Sequence, residues 1–246
     1  FLGTGVGARA YGETGSWDTL LHWLDIPAPD AVLPAARSRL CGDSGFAFLK
    51  SHAEDAQAFV RFPRYRFRPG HADPLHVDLW LGGRNILRGP GSYRYHAEPE
   101  WLVYFPGVAA HNTVQFDDRE AMPRLGRFLF GDWLRLAAGP LLTETTDGQD
   151  FVAGYRHAAG ARHERKVSLC AGRLEICDTL AGFSDRAVVR SRLMPGDWRR
   201  DTAGVSLGPL RLIVQSEGGQ AEIRLVEGWE ARCYGGQTPP PGVAVE

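Results

Sequence analysis

The sequence predicts an all-β fold, an antiparallel sandwich or barrel. Apolar residues recur with period two in about a dozen short runs, turn-forming residues separate the runs, and no helical stretch between them offers the crossover that parallel pairing needs. The first forty residues are the exception. Ser16 is placed to cap a short helix in which Trp17, Leu20, Leu21 and Leu24 fall at i, i+3, i+4 and i+7, with Asp18 in the first turn; three prolines between Ile26 and Pro34 end it.

From Gly45 onward the period is two. Phe46 and Phe48 alternate with Ala47 and Leu49, and Tyr65 and Phe67 share one face of a run whose other face carries Arg64, Arg66 and Arg68. Leu75, Val77, Leu79 and Leu81 point one way while His76, Asp78 and Trp80 point the other, a half-buried strand with a polar face. The alternation continues through the runs starting at His111, Phe128, Phe151, Arg165, Arg173, Val188, Leu210 and Ala221. Turn signals divide them, among them Gly82-Gly83, Gly89-Pro90-Gly91, Asp117-Asp118 and Ala171-Gly172. The expected division is residues 1–40 as a helical end and connection, and 41–246 as one β domain without internal repeat. Starting at Phe1 in mid-pattern, the chain reads as a piece of a longer one.

Composition sets the class. With 246 residues, 43% hydrophobic and 23% charged, the chain can bury a sizeable core, which excludes disorder for most of it. Its 28 Lys+Arg against 29 Asp+Glu give a net charge of −1, which removes the bulk electrostatic case for nucleic acid or an anionic membrane. No apolar run reaches the ~20 residues of a membrane span. Cys41, Cys170, Cys177 and Cys233 have neither metal-knuckle spacing nor the density of a disulfide scaffold.

Candidate chemistry is spread over several runs. His71, His76 and His111 lie at or within strands, and imidazoles on neighbouring strands, ~5 Å apart, can converge on one metal or one substrate; the plainer reading makes His76 a surface residue beside Asp78. Trp101, Tyr104 and Phe105 are either a sugar-stacking platform or core aromatics. Arg61, Arg64, Arg66 and Arg68 put guanidinium groups close together, suited to carboxylate or sulfate, or else they guard an edge strand. Gly42-Asp43-Ser44-Gly45 is a turn opening a strand, not a serine-protease loop, since the histidine that should precede it comes later.

"FRPGHADPLHVDLWLGGRNILRGPGSYRYH" from Phe67, "WLVYFPGVAAHNTVQFDDRE" from Trp101 and "GRFLFGDW" from Gly126, with "HERKVSL" from His163 and "LEICDTL" from Leu174, resemble the C-terminal domain of heparinase II/III-like proteins. These are bacterial polysaccharide lyases, alginate lyases among them. The resemblance implies a large antiparallel β-sandwich, a supersandwich, following an N-terminal α/α toroid whose last turn would be the helix near Ser16. It implies an acidic, uronate-containing polysaccharide as substrate, the toroid as companion domain, and export to the periplasm or outside the cell. It also implies β-elimination, in which a base, usually tyrosine, takes the C5 proton while Asn or His neutralises the carboxylate.

The resemblance assigns residues one by one. Tyr104 matches a phenol directed into the cleft, with Arg68 as the cation beside it and a replacement carboxylate neutraliser. His111 is a further catalytic candidate. Arg66, Tyr93, Trp101 and Asn112 are expected to bind substrate. The family's His-x-His-x-Asp pattern stands here as Pro69-Gly70-His71-Ala72-Asp73, which keeps the metal-type histidine as His71. A metal-binding aspartate corresponds to Gly89, and His111 completes the set. Two imidazoles without the carboxylate are a poor zinc site, so no bound metal is expected. The alternative reading is a catalytically degenerate carbohydrate-binding or structural member of the same superfamily. A third is a sandwich serving protein assembly in surface-polysaccharide production.

Overall fold

A computed structural model describes residues 15–34, 36–51, 55–65, 67–217 and 221–246. The chain divides into two units, one ending at Arg37 and one spanning Ser38–Glu246. In the first, a 3-10 turn, Ser16–Asp18, leads into α1, Thr19–Trp23, and the Asp18 carboxylate accepts the Gly15 N–H at 3.0 Å. Leu21 is the buried member of the expected stripe, and Leu20 and Leu24 are half exposed. The side chain of Trp17 lies outside the description.

The second unit is an antiparallel sandwich. β1 (Arg39–Cys41), β2 (Phe46–Lys50), β3 (Ala56–Arg61), β4 (Val77–Leu81) and β5 (Arg84–Leu87) form one sheet in chain order. A six-residue helix, α2 (Pro99–Tyr104), precedes β6 (Val114–Phe116), and β7 (Arg124–Gly126) pairs with β8 (Leu129–Phe130). A four-stranded meander follows in β9 (Arg135–Glu144), β10 (Gly148–Arg156), β11 (Arg162–Cys170) and β12 (Arg173–Ala181). After β13 (Ala187–Arg192), β14 (Arg199–Arg200), β15 (Gly204–Leu207) and β16 (Leu210–Ile213) make a small sheet. Next come β17 (Ile223–Glu227), the hairpin of β18 (Glu230–Cys233) and β19 (Gly236–Thr238), and β20 (Pro241–Val245); β20 lies between β17 and β13 in the sheet β17-β20-β13-β6. Every described pairing is antiparallel.

Alternation builds the core. Ala47, Leu49, Ala58 and Val60 of the first sheet meet Phe151, Ala153, Tyr155, Val167 and Leu169 of the meander, all fully buried, and Phe62 stacks on Phe151 at 5.8 Å. Leu87, Leu193, Trp198, Val205 and Val243 centre a second cluster, against which Leu174 and Ile176 of β12 pack. Among the described residues no helix is long and apolar enough to cross a membrane.

Some expected strands are shorter or missing. The run through Tyr65 and Phe67 is a loop, because Pro63 has no N–H for a ladder. Arg61 donates to the carbonyls of Ser44 and Gly45 and lies over the rings of Phe46 and Tyr65, while Arg64 and Arg68 are exposed loop residues. Arg66 lies outside the described residues. β4 begins at Val77 and not at Leu75, whose φ of +57° no strand accommodates. His111 ends a 3-10 turn, Val108–Ala110, so β6 starts three residues later than expected. Helix α2 was not expected; Pro99 at its first turn and Glu100 beside it are its start signals.

One polar cluster sits inside the sandwich. Arg165 and Asp178 are register partners on β11 and β12, both turned inward. Nε and Nη2 of Arg165 bond the two Asp178 oxygens at 2.6 and 2.8 Å, and His163 Nε2 donates to the same carboxylate at 2.7 Å. Nη1 donates to the carbonyls of Leu75 and Asn112, each at 2.7 Å. Burial alone would raise Asp178, but the charges of Arg165 and His163 and their hydrogen bonds hold it well below the usual carboxylate range. Burial holds His163 below the ordinary imidazole value against the pull of Asp178.

Arg165→Met is expected to destabilise the fold by about 3–5 kcal/mol, read from urea unfolding, because it leaves Asp178 buried without its main partner. Stability is also expected to fall as pH drops below ~6.5, since the unfolded His163 takes up a proton that the folded one resists. A second loss follows below ~4, where the unfolded Asp178 protonates before the folded one. His163→Gln should shrink the first of these steps without abolishing it, because His71 and His111 are also held below the ordinary imidazole value, and should weaken the second, because His163 helps to hold Asp178 down, as measured by melting temperature against pH.

Candidate functional site

Three segments bring their histidines together. His71 comes from the loop before β4, His76 from the residue preceding β4, and His111 from the end of the 3-10 turn. The ring centroids of His71 and His76 lie 5.1 and 5.4 Å from that of His111, both edge to face. The hydrogen-bond partners assign the protons. His111 Nδ1 meets the Gly107 carbonyl, which only accepts, at 2.7 Å, so His111 Nε2 is a lone pair. His71 Nδ1, 3.0 Å away, donates to it, and His71 Nε2 accepts from the Ser92 hydroxyl at 3.3 Å. His76 Nδ1 accepts the Asn112 N–H at 2.9 Å, which turns its Nε2–H toward Asp78 at 3.6 Å.

Electrostatics follow the burial. Desolvation holds His71 below the ordinary imidazole value, partly opposed by Asp73. His111, 2% exposed, is held well below it by desolvation, then by His71 and His76. Burial pushes Asp78 up, but the His76 hydrogen bond and charge and the Asn85 amide outweigh it and leave the carboxyl below its usual range.

A resident zinc would need three protein ligands at about 2.0–2.3 Å. His71 and His111 face each other as donor and acceptor, and His76 spends one nitrogen on Asn112 and turns the other toward Asp78. Gly89 supplies no donor, although a Cβ there would stand 3.4 Å from His76 Nε2. Among the described residues no three His, Cys, Asp or Glu side chains are disposed to hold an ion. This donor set does not fit zinc.

The other candidates divide. Asn112 is 2% exposed, and its side chain is spent on the backbone: the amide donates to Val77 and Arg88 carbonyls, and the oxygen accepts the Arg192 N–H at 2.5 Å. Its place is structural, holding His76 and β13 to the turn after His111. Trp101, Tyr104 and Tyr93 belong to an aromatic cluster with Phe105, Ala231 and Trp229. Tyr93 stacks on Phe105 at 5.2 Å and Trp101 meets Trp229 edge on at 5.3 Å, so much of this surface is internal packing and not an open platform. Tyr104, half-buried, ends α2, and its hydroxyl accepts the Trp229 N–H at 2.8 Å.

The cation beside Tyr104 is Arg192, centred 5.9 Å from the ring, whereas Arg68 is an exposed loop residue. Arg192 is 4% exposed, and no carboxylate pairs with it among the described residues. The aromatic cluster joins the histidines through Gly107, whose N–H bonds the Tyr104 carbonyl while its own carbonyl holds His111. Arg192, Ser92 and Arg165 are the site residues the sequence reading missed. For Arg165 a signal existed: counting outward from the Ala171-Gly172 turn places it opposite Asp178.

Comparisons with known proteins agree with this architecture. No curated protein sequence matches the chain. The heparinase III that is the BT4657 gene product, with methylated lysines, superposes with a TM-score of 0.68 at 17% identity, covering 93% of this chain and 37% of that one. Heparan sulfate lyase HepC from Pedobacter heparinus gives 0.68 at 15%, covering 96% and 40%. A further heparinase III structure gives 0.68 at 14%, covering 89% and 36%. At these identities the likeness shows the fold, and this chain spans about two fifths of their length. The profile of one family, Heparinase II/III-like, C-terminal, matches residues 34–244, and with most of its length inside that match the chain belongs to this family.

Proposed function

We propose that this chain is the sandwich part of a polysaccharide lyase that cleaves an acidic, uronate-containing polysaccharide by β-elimination. The observation that supports this most, within the family, is the Tyr104 phenol held by the Trp229 amide, with the Arg192 guanidinium, bonded to the Trp229 carbonyl, at its ring, next to the histidine cluster. Tyr104, deprotonated, takes the C5 proton, the C–H electrons close the C4–C5 double bond, and the C4–O4 bond breaks as Tyr104 passes that proton to the leaving oxygen. The Trp229 N–H donates to the phenol oxygen, an interaction strongest in the deprotonated form that takes the C5 proton. Arg192 supplies positive charge near the uronate carboxylate. A companion toroid contributes the remaining donors, the protein acts in the periplasm or outside the cell, and no metal takes part.

The test uses the complete protein and the ultraviolet absorbance of the unsaturated product. Tyr104→Phe is expected to lower kcat by about a hundredfold or more with little change in KM, and Arg68→Ala to leave both unchanged. A chelator should not alter the rate, and elemental analysis should find less than one equivalent of zinc. Full activity in Tyr104→Phe would sink the assignment of the base.

A second reading has its own observation: Pro69 and Gly89 replace two groups of the family pattern, which fits a degenerate, carbohydrate-binding member. Binding of acidic polysaccharide without any rise in absorbance would favour it.

A further inference from the structure

We propose that Tyr95, Phe128 and Tyr234 form a stacking platform for one pyranose unit of the acidic polysaccharide, an inference that rests on the functional reading above. Their exposures are 58%, 53% and 71%, yet the rings touch each other, Tyr95 meeting Phe128 at 5.4 Å and Tyr234 at 6.0 Å, both edge to face. They come from three separate segments: the loop after β5, the β7–β8 turn and the β18–β19 turn. Three mutually supported rings left open to water are an apolar surface held ready for a partner.

The platform is built and not frayed. The chain from Arg88 to Tyr95 is tied along the β18 hairpin from end to end. Arg88 pairs with the buried Glu230 at 2.9 Å, Ala231 N–H bonds the Pro90 carbonyl at 2.7 Å, Gly235 N–H bonds the Tyr93 carbonyl at 3.2 Å, and Tyr95 N–H bonds the Tyr234 hydroxyl at 3.4 Å. Gly91 allows this approach: its φ is +75°, and a Cβ there would fall 2.1 Å from the Ala231 carbonyl oxygen. The rings therefore lose little freedom when a ligand lands on them.

Two observations favour a saccharide with anionic substituents as the occupant. Arg127 adjoins Phe128 and is exposed, and no carboxylate pairs with it among the described residues, whereas Arg94, next to Tyr95 in the chain, is paired with Glu98. A sugar ring offers an apolar face for stacking and carboxylate or sulfate at its rim for guanidinium. The platform is also continuous with the histidine cluster. Ser92, bonded to His71, stands three residues before Tyr95, at most about 11 Å along the chain, so one polymer can reach both.

The test titrates the full chain with an alginate hexasaccharide, a heparan sulfate hexasaccharide and neutral maltohexaose, followed by calorimetry. Tyr234→Ala and Phe128→Ala are each expected to weaken the acidic hexasaccharide that binds by up to about tenfold, with the melting temperature unchanged because both rings are exposed. Arg127→Ala should weaken it while leaving any maltohexaose binding as it was. Undiminished affinity in both ring variants overturns the platform and leaves the acidic-polysaccharide reading standing. Equal binding of maltohexaose, lost in the ring variants, keeps the stacking and overturns the acidic substrate. No binding of either acidic hexasaccharide overturns both, and if sedimentation then shows a dimer that Phe128→Ala dissolves, the patch is a face for a second copy.

Discussion

Arg165 reaches inward from β11 with one edge on the Asp178 carboxylate and its remaining nitrogen on the carbonyls of Leu75 and Asn112. Those two carbonyls belong to the loops that carry His76 and His111. A guanidinium has five donors in a rigid fork, so distances among the groups it binds are set by covalent geometry and not by loop sequence. Leu75 sits in the left-handed region at full burial, a conformation that only a firm hold on its carbonyl makes tenable for a branched side chain. Asn112 continues the tie through His76, Val77, Arg88 and Arg192. The histidine loops are thus parts of the sandwich interior that surface at one edge.

That arrangement explains what could be read from the sequence and what could not. The meander was legible unevenly: the run expected from Arg173 to Leu180 is β12, Arg173–Ala181, because one face packs and the other meets water, whereas the run expected from Phe128 to Leu136 overlaps only the start of β9, Arg135–Glu144. The convergence of His71, His76 and His111 was legible as a possibility, since all three lie by strand ends. The arginine run was misread, because period two through Arg64, Arg66 and Arg68 is equally compatible with a loop, and Pro63 decides the matter. Helix α2 was hidden because six residues rich in aromatics carry no helical period. Arg165 was missed for another reason: a charge at an inward position looks like an error in the pattern until counting from the Ala171-Gly172 turn places Asp178 opposite it. The same limit applies to Arg192, whose role depends on Tyr104, far away in the chain.

Replacing ligands by hydrogen bonds changes what holds the site. A metal organises its ligands from the centre, whereas here each imidazole is held from outside, by Gly107, Asn112 or Ser92. Backbone amides and carbonyls provide two of those three anchors, so they persist under side-chain substitution. Gly89 then reads as a gap left beside His76, and Asp78, on the strand that follows, faces that nitrogen instead.

The row from Ser92 through His71 and His111 to Gly107 also has a sense of direction. Because the last member is a carbonyl, every hydrogen in the row points inward, and reversing one would require reversing all of them. The outermost imidazole nitrogen accordingly faces Ser92 and the surface as an acceptor. Ser92 already donates to that atom, so what the row offers an arriving molecule is the Ser92 oxygen as an acceptor.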